Sequence, residues 1–160
     1  MSIFDNSLEP LKRMRRKARE RRLLATQNVK DSLARRLEGD QETFDHSPVS
    51  FSPDSAQHSV GILLVHGFTG SPHSMRPLAQ RFMKLGYAVE MPLLTGHGTR
   101  WQDLRDSTYQ QWLASAEQGY RRLTDQGLRV VVIGMSMGGT VATHLSARLP
   151  VAGTVLINPY

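Results

Sequence analysis

The chain of 160 residues contains no cysteine. This absence excludes disulfide bonds, zinc sites built on thiolates and cysteine nucleophiles together. Long apolar runs are missing as well, because the uninterrupted apolar stretches fall far short of the ~20 residues that a membrane-spanning helix requires. A cysteine-free chain of this length fits one domain of ordinary size, and we expect it in the cytoplasm.

Positive charge is concentrated near the N-terminus. The formal net charge is +6, yet residues 1–40 hold 11 Lys and Arg against 6 Asp and Glu, whereas residues 41–160 hold 9 against 8. Residues 8–38 carry apolar side chains at helical spacing, and eight of the eleven residues in 12–22 are Lys or Arg. The basic character therefore belongs to a helical or disordered extension and not to the body of the protein.

Two interpretations of this extension stay open. A solvated, partly disordered leader that packs little against the domain is favoured, because the apolar side carries no aromatic residue. The alternative is contact with an anionic membrane surface, which would place the protein at the membrane periphery. Nucleic acid also attracts such charge, but nothing indicates a specific nucleic-acid site. Residues 41–59 are rich in Ser, Pro, Asp, Gln and His, and we interpret them as a linker with one short strand around Val49–Phe51.

From residue 60 onward the sequence alternates between short apolar runs and helical patterns. Such alternation predicts an α/β domain over residues 60–160, with a parallel sheet flanked by helices and right-handed crossovers. The predicted strands are Val60–Val65, Tyr87–Pro92, Arg129–Ile133 and Thr154–Ile157. The predicted helices run from Pro72 to about Leu85, from Thr108 towards Gly127, and over Met137–Leu149.

The strongest chemical signal is Gly134-Met135-Ser136-Met137-Gly138-Gly139, where an apolar strand passes directly into a helix. A nucleophilic serine on such a turn needs a strained backbone, and the glycines two residues away remove side chains that would clash there. Gly139 would let the helix approach the sheet closely. A dinucleotide-binding loop would need glycine at position 136, and a phosphate-binding P-loop would need lysine before its Ser or Thr. The motif therefore predicts Ser136 as a nucleophile.

A second motif, His66-Gly67-Phe68-Thr69-Gly70, follows the first strong strand. Acyl transfer needs two amide donors for the oxyanion, and the loop after this strand and the residue after the nucleophile supply them in such folds. We therefore predict an oxyanion hole formed by the backbone amides of Phe68 and Met137. Gly67 lets the loop turn tightly, and His66 is interpreted as a structural support of the loop and not as the base.

These two motifs and Pro92-Leu93-Leu94-Thr95-Gly96-His97-Gly98 resemble the α/β-hydrolase superfamily, and most of all its carboxylesterase and monoacylglycerol lipase branch. The resemblance covers about 100 of the 160 residues. It implies a partial α/β-hydrolase fold with Ser136 as nucleophile. It also implies that His97 shapes a loop near the site.

The sequence departs from the family pattern after the nucleophile. The family places its acid and base late in the chain, but only 24 residues follow Ser136, none of them Asp or Glu, and the one histidine among them is His144. Asp103, Asp106 and Asp125 precede the nucleophile and are interpreted as loop and helix-surface charges. We therefore expect the N-terminal half of a hydrolase, with the triad acid and base outside this chain.

The expected function is hydrolysis of small-molecule or lipid carboxylic esters through an acyl-enzyme at Ser136. Neither a metal nor an organic cofactor is implied. The alternatives are another reaction on the same fold, catalysed by a peptidase or an acyltransferase, and a catalytically inert binding module. The 160-residue chain by itself is expected to be inactive.

Overall fold

The computed structural model describes residues 45–54 and 58–159. The expectations for the basic extension, its helix and its packing lie outside the described residues. Within the described part of the chain, no helix is long and apolar enough to cross a membrane.

In the described part of the chain, five strands form a single, mostly parallel sheet. They are β1 (Val49–Phe51), β2 (Val60–Val65), β3 (Ala88–Met91), β4 (Arg129–Met135) and β5 (Gly153–Ile157). In spatial order they are β1, β3, β2, β4 and β5, and only β1 runs antiparallel to its neighbour. The strand at the predicted position 49–51 is confirmed, and it forms one edge of this sheet. The other edge is β5.

Helices cover both faces of the sheet, as the alternating sequence pattern predicts. The helical elements are a 3₁₀ turn (Pro72–Met75), α1 (Arg76–Lys84), α2 (Trp101–Arg105), α3 (Tyr109–Thr124) and α4 (Met137–Arg148). Residues on α3 and α4 pack against one face, while the 3₁₀ turn and α1 pack against the other. The parallel sheet with flanking helices is therefore confirmed.

Strand β2 shows why the sheet needs a layer on each face. Leu63 and Val65 belong to the apolar cluster beneath α3 and α4, whereas Ile62 and Leu64 belong to the cluster beneath α1. Successive side chains on a strand point to opposite faces, so a strand that is apolar at every position must be buried on both. All four side chains are buried.

Two helical details differ from the sequence-based expectation. The helix expected from Pro72 starts as a 3₁₀ turn, and its α-helical part begins only at Arg76. Pro77 has no N–H to donate to the carbonyl four residues earlier, so a continuous α-helix across this point would lose a bond. The short helix α2 was not predicted. The cap at Thr108 is confirmed, since Thr108 and Gln111 bond reciprocally to each other's backbone.

A buried ion pair ties the edge of the sheet to helix α3. Glu90 on β3 is almost fully buried, and its carboxylate accepts hydrogen bonds from Arg122 Nε at 2.8 Å and from the Ser50 hydroxyl on β1. Ser50 lies directly opposite Glu90 in the strand register. Because Arg122 compensates a charge that water does not reach, the pair holds α3 and both strands together.

We expect Arg122→Ala to lower the free energy of unfolding by about 2 kcal/mol, because it leaves the Glu90 carboxylate buried with its charge uncompensated. The matched control is Arg121→Ala, whose partner Glu117 is one turn away on the exposed helix surface. That change should cost little, because an exposed ion pair is screened by water and contributes almost nothing to stability. Urea unfolding followed by circular dichroism measures both, and equal losses would contradict the structural role of the buried pair.

Candidate active site

Ser136 lies between the end of β4 and the start of α4, as the glycine spacing predicts. Its backbone has φ 53° and ψ −123°, a positive φ that L-residues other than glycine rarely adopt. The Ser136 N–H donates to Ile157 O at 3.0 Å, and the Ser136 carbonyl accepts from Gly139 N–H at 2.8 Å. These bonds from β5 and α4 hold the strained conformation.

The two glycines that flank Ser136 are required by close backbone contacts. A Cβ at Gly134 would lie 2.1 Å from the Gly138 oxygen, and one at Gly138 would lie 2.2 Å from the Val65 oxygen. The clash inferred from the sequence is thus present on both sides of the serine. The predicted close approach at Gly139 is found as well. A Cβ at Gly139 would lie 3.0 Å from Pro159 Cβ and 3.6 Å from the Gly134 oxygen on β4.

The loop after β2 lies directly beside the serine. A Cβ at Gly67 would stand 3.2 Å from Ser136 Cβ and 3.8 Å from Ser136 Oγ. The loop closes in a tight turn, with Gly70 N–H donating to Gly67 O at 3.1 Å and Thr69 at φ 56°. The structure therefore brings the two predicted motifs together at the carboxyl edge of the sheet, where ligands bind in open α/β sheets.

His66 supports this loop as a buried, neutral imidazole. Its Nε2 accepts a hydrogen bond from Leu94 N–H at 3.1 Å, so its Nδ1 carries the proton and donates to Gly67 O at 3.0 Å. Burial, with a smaller contribution from the nearby His97, lowers the pKa of His66 to about 4 although the hydrogen bond to Gly67 O acts in the opposite direction. An imidazole with both nitrogens occupied and this low proton affinity is poorly suited to act as a general base.

The bond from His66 also orients the neighbouring amide. Gly67 O accepts from both His66 Nδ1 and Gly70 N–H. The N–H and C=O of a trans peptide point in opposite directions, so the Phe68 N–H is directed away from these partners. This N–H forms no hydrogen bond with another described residue, and neither does the N–H of Met137 in the first turn of α4. The loop after β2 and the first turn of α4, which both adjoin Ser136, therefore each carry one amide that is unpaired among the described residues.

An aromatic cluster, formed by His97, Phe68 and Trp112, lies next to the loop. The ring of His97 packs edge-on against Phe68, with centroids 6.1 Å apart, and against Trp112 at 5.5 Å. His97 is buried, burial lowers its pKa, and its Nδ1 lies 3.2 Å from the Thr95 carbonyl. Sequence reasoning missed Trp112, because a single tryptophan at a helical spacing is indistinguishable from an ordinary core residue.

The described residues place neither an acid nor a base on the serine. Among residues 45–54 and 58–159, His66 bonds to Leu94 and Gly67, and His97 bonds to Thr95, so neither imidazole takes Ser136 Oγ as its partner. His144 is two turns into α4 and contacts Arg148 and the ring of Tyr109. Asp103 and Asp106 pair with neighbouring arginines on the surface. The same ranges contain no group of three or more His, Asp or Glu that could hold a metal ion.

Comparison with known proteins agrees with the fold of the sheet and its helices. A model of the alpha/beta hydrolase family matches residues 62–160, which is more than half of the chain. The chain belongs to the alpha/beta hydrolase family. The resemblance inferred from the three motifs is therefore confirmed.

Similar proteins of this family fall in the predicted branch. Over 100 residues the chain is 50% identical to a thermostable monoacylglycerol lipase of Bacillus sp. (strain H-257), which covers 62% of this chain. It is 30% identical over 95 residues, 59% of its length, to a carboxylesterase of Bacillus subtilis (strain 168). A structure of the metagenome-derived lipolytic enzymes LipS and LipT superposes on 71% of this chain and 46% of that one, with a TM-score of 0.65 and 38% identity.

These alignments include only part of each relative. The chain spans 40% of the monoacylglycerol lipase and 39% of the carboxylesterase. The activity of each relative belongs to its whole length, of which this chain spans less than half.

The close packing of Gly138 predicts that one added methyl group at this position destabilises the fold. Gly138→Ala should lower the free energy of unfolding by about 3 kcal/mol, because its Cβ would overlap backbone oxygens that cannot move aside. Gly153→Ala serves as the control, since its Cβ would meet only Val131 Cγ2 at 3.8 Å, and it should change stability by roughly 0.5 kcal/mol or less. Urea unfolding would contradict the packing if the two variants were equally stable.

Buried His66 predicts a pH dependence of stability. Its pKa falls from the ordinary histidine value of 6.5 to about 4 in the fold, so the unfolded chain binds a proton more readily. The stability contributed by His66 is complete above pH 6.5 and is lost as the pH falls towards 4, by up to about 3 kcal/mol. Unfolding free energies measured across this range should fall more steeply for the wild type than for His66→Asn, and parallel slopes would contradict the burial of a neutral His66.

Proposed function

We propose that this chain carries the nucleophile and the oxyanion donors of a serine ester hydrolase. The observation that supports this most directly is the position of Ser136. Its backbone has a positive φ, and its Oγ lies 3.8 Å from the point where a Cβ on Gly67 would stand. A side chain that projects from a strained strand-to-helix turn beside unpaired amides is suited to acyl transfer.

In the proposed reaction, Ser136 Oγ attacks the acyl carbonyl of an ester. The hydroxyl proton passes to a histidine base, and the carbonyl oxygen becomes an oxyanion that accepts hydrogen bonds from Phe68 and Met137 N–H. Collapse of this intermediate breaks the bond to the alcohol, which leaves with the proton from the base. Water then releases the acid from Ser136 by the same steps. We assign the base and its carboxylate partner to residues outside this chain.

The surroundings of the serine favour an apolar acyl group. The Phe68 side chain is 56% exposed although it belongs to the loop beside Ser136, and Met135 and Met137 flank the serine in the sequence. Apolar side chains that stay accessible at a site contribute binding energy when they are covered by substrate. Together with the similarity to a monoacylglycerol lipase and a carboxylesterase, this supports a small-molecule or lipid carboxylic ester as substrate.

We expect Ser136-dependent hydrolysis of a p-nitrophenyl ester by the longest product of the gene that encodes this chain. Ser136→Ala should lower kcat by at least about 10³-fold, because a hydroxyl that forms the covalent intermediate cannot be replaced. The control is Ser146→Ala on the same helix, which should leave turnover unchanged. The 160-residue chain should show no hydrolysis above its own Ser136→Ala variant, since serine needs an adjacent base.

A fluorophosphonate probe separates the alternatives. Labelling of Ser136 without ester turnover would favour a peptidase or an acyltransferase on the same fold. Absence of both labelling and turnover in the longest product would favour a catalytically inert binding module. Clear Ser136-dependent turnover by the 160-residue chain would mean that a residue of this chain acts as the base.

A further inference from the structure

The segment Asp45–Ser47, which precedes β1, lies against the carboxyl edge of the sheet. His46 Nδ1 is hydrogen bonded to Ser71 Oγ at 2.8 Å, and Ser71 is buried. A Cβ at Gly98 would stand 3.0 Å from His46 Cβ and 3.3 Å from its Cγ. One side chain therefore touches both the loop that follows β2 and the loop that follows β3.

Both contacts adjoin the supports of Phe68. Ser71 follows Gly70, whose N–H donates to the same Gly67 carbonyl that His66 binds. Gly98 follows His97, whose ring packs edge-on against Phe68. The backbone amide and the side chain of Phe68 are thus held by two loops, and His46 bridges these loops at their far ends.

The backbone around His46 is itself held by a side chain of helix α1. Arg76, the first residue of α1, donates from Nη2 to the carbonyl oxygens of Asp45 at 3.0 Å and Ser47 at 3.1 Å. The same nitrogen pairs with the Asp45 carboxylate at 2.7 Å. Bonds to the backbone on both sides of His46 leave this segment little freedom, so the bridge is anchored to helix α1.

We propose that His46 is a positioning residue for the loop that carries the Phe68 amide, an inference that rests on the function proposed for Ser136 and Phe68. Its imidazole keeps Ser71 and Gly98 at a fixed separation, so the Phe68 N–H keeps its direction as negative charge develops on the substrate. Such donors act because they are oriented in advance, and a displacement of about 1 Å can cost up to ~100-fold in rate.

The kinetic test uses the longest gene product and three variants. His46→Ala should lower kcat for a p-nitrophenyl ester about tenfold with little change in KM, because transition-state contacts are lost while ground-state binding stays. His46→Asn should recover most of this loss, since an asparagine amide occupies the position of the imidazole Nδ1 and can bond to Ser71. His144→Ala is the matched histidine control and should leave both constants unchanged.

A second measurement does not depend on catalysis. In the 160-residue chain, hydrogen exchange should become faster over residues 67–71 and 96–98 in His46→Ala but not in His46→Asn. Faster exchange together with an inactive parent enzyme would support the bridge and overturn the proposed function. Unchanged exchange in His46→Ala, whether or not kcat falls, would overturn the bridge, and so would a loss of activity that His46→Asn does not restore.

Discussion

Helix α4 begins so close to the ends of β2 and β4 that a methyl group at Gly134 or Gly138 would overlap backbone oxygens. This contact forces the chain through the positive φ of Ser136 and brings the N-terminal turn of the helix beside the loop after β2. Because α4 starts so near the sheet, the serine hydroxyl lies beside the loop after β2. The Met137 amide has no hydrogen-bond partner among the described residues. Packing of the sheet and geometry of the site therefore have one cause.

His66 fixes the loops that follow β2 and β3. Burial lowers its pKa to about 4, so the imidazole is neutral. As a neutral ring of one tautomer it links Leu94 to Gly67 by two hydrogen bonds. The bond to Gly67 O fixes the plane of the peptide that contains the Phe68 N–H. A donor fixed in this way needs no reorganisation when charge develops, which is the condition for strong electrostatic stabilisation.

The features that could be predicted from the sequence are those encoded within a few neighbouring residues. The strand-to-helix turn at Ser136, the turn after His66 and the cap at Thr108 each depend on one short stretch, and so does the short strand predicted at Val49–Phe51. The bridge from His46 to Ser71 and the pair of Arg122 with Glu90 join residues 25 and 32 positions apart. No local pattern carries such information, because the fold alone decides which distant side chains meet.

The described residues separate two contributions to catalysis that are usually considered together. Orientation of the proposed oxyanion donors depends on Gly67, His66 and the start of α4, all of which are held by hydrogen bonds and close packing inside this chain. Activation of the serine depends on a base, and the buried histidines of the described residues, His66 and His97, bond to other groups. In damaged triads of intact enzymes the donors still give residual catalysis of about 10³–10⁴ over water. Action of such donors without a base requires a sheet that holds them rigidly, and here the edge strand β5 carries three consecutive exposed residues, Val155, Leu156 and Ile157.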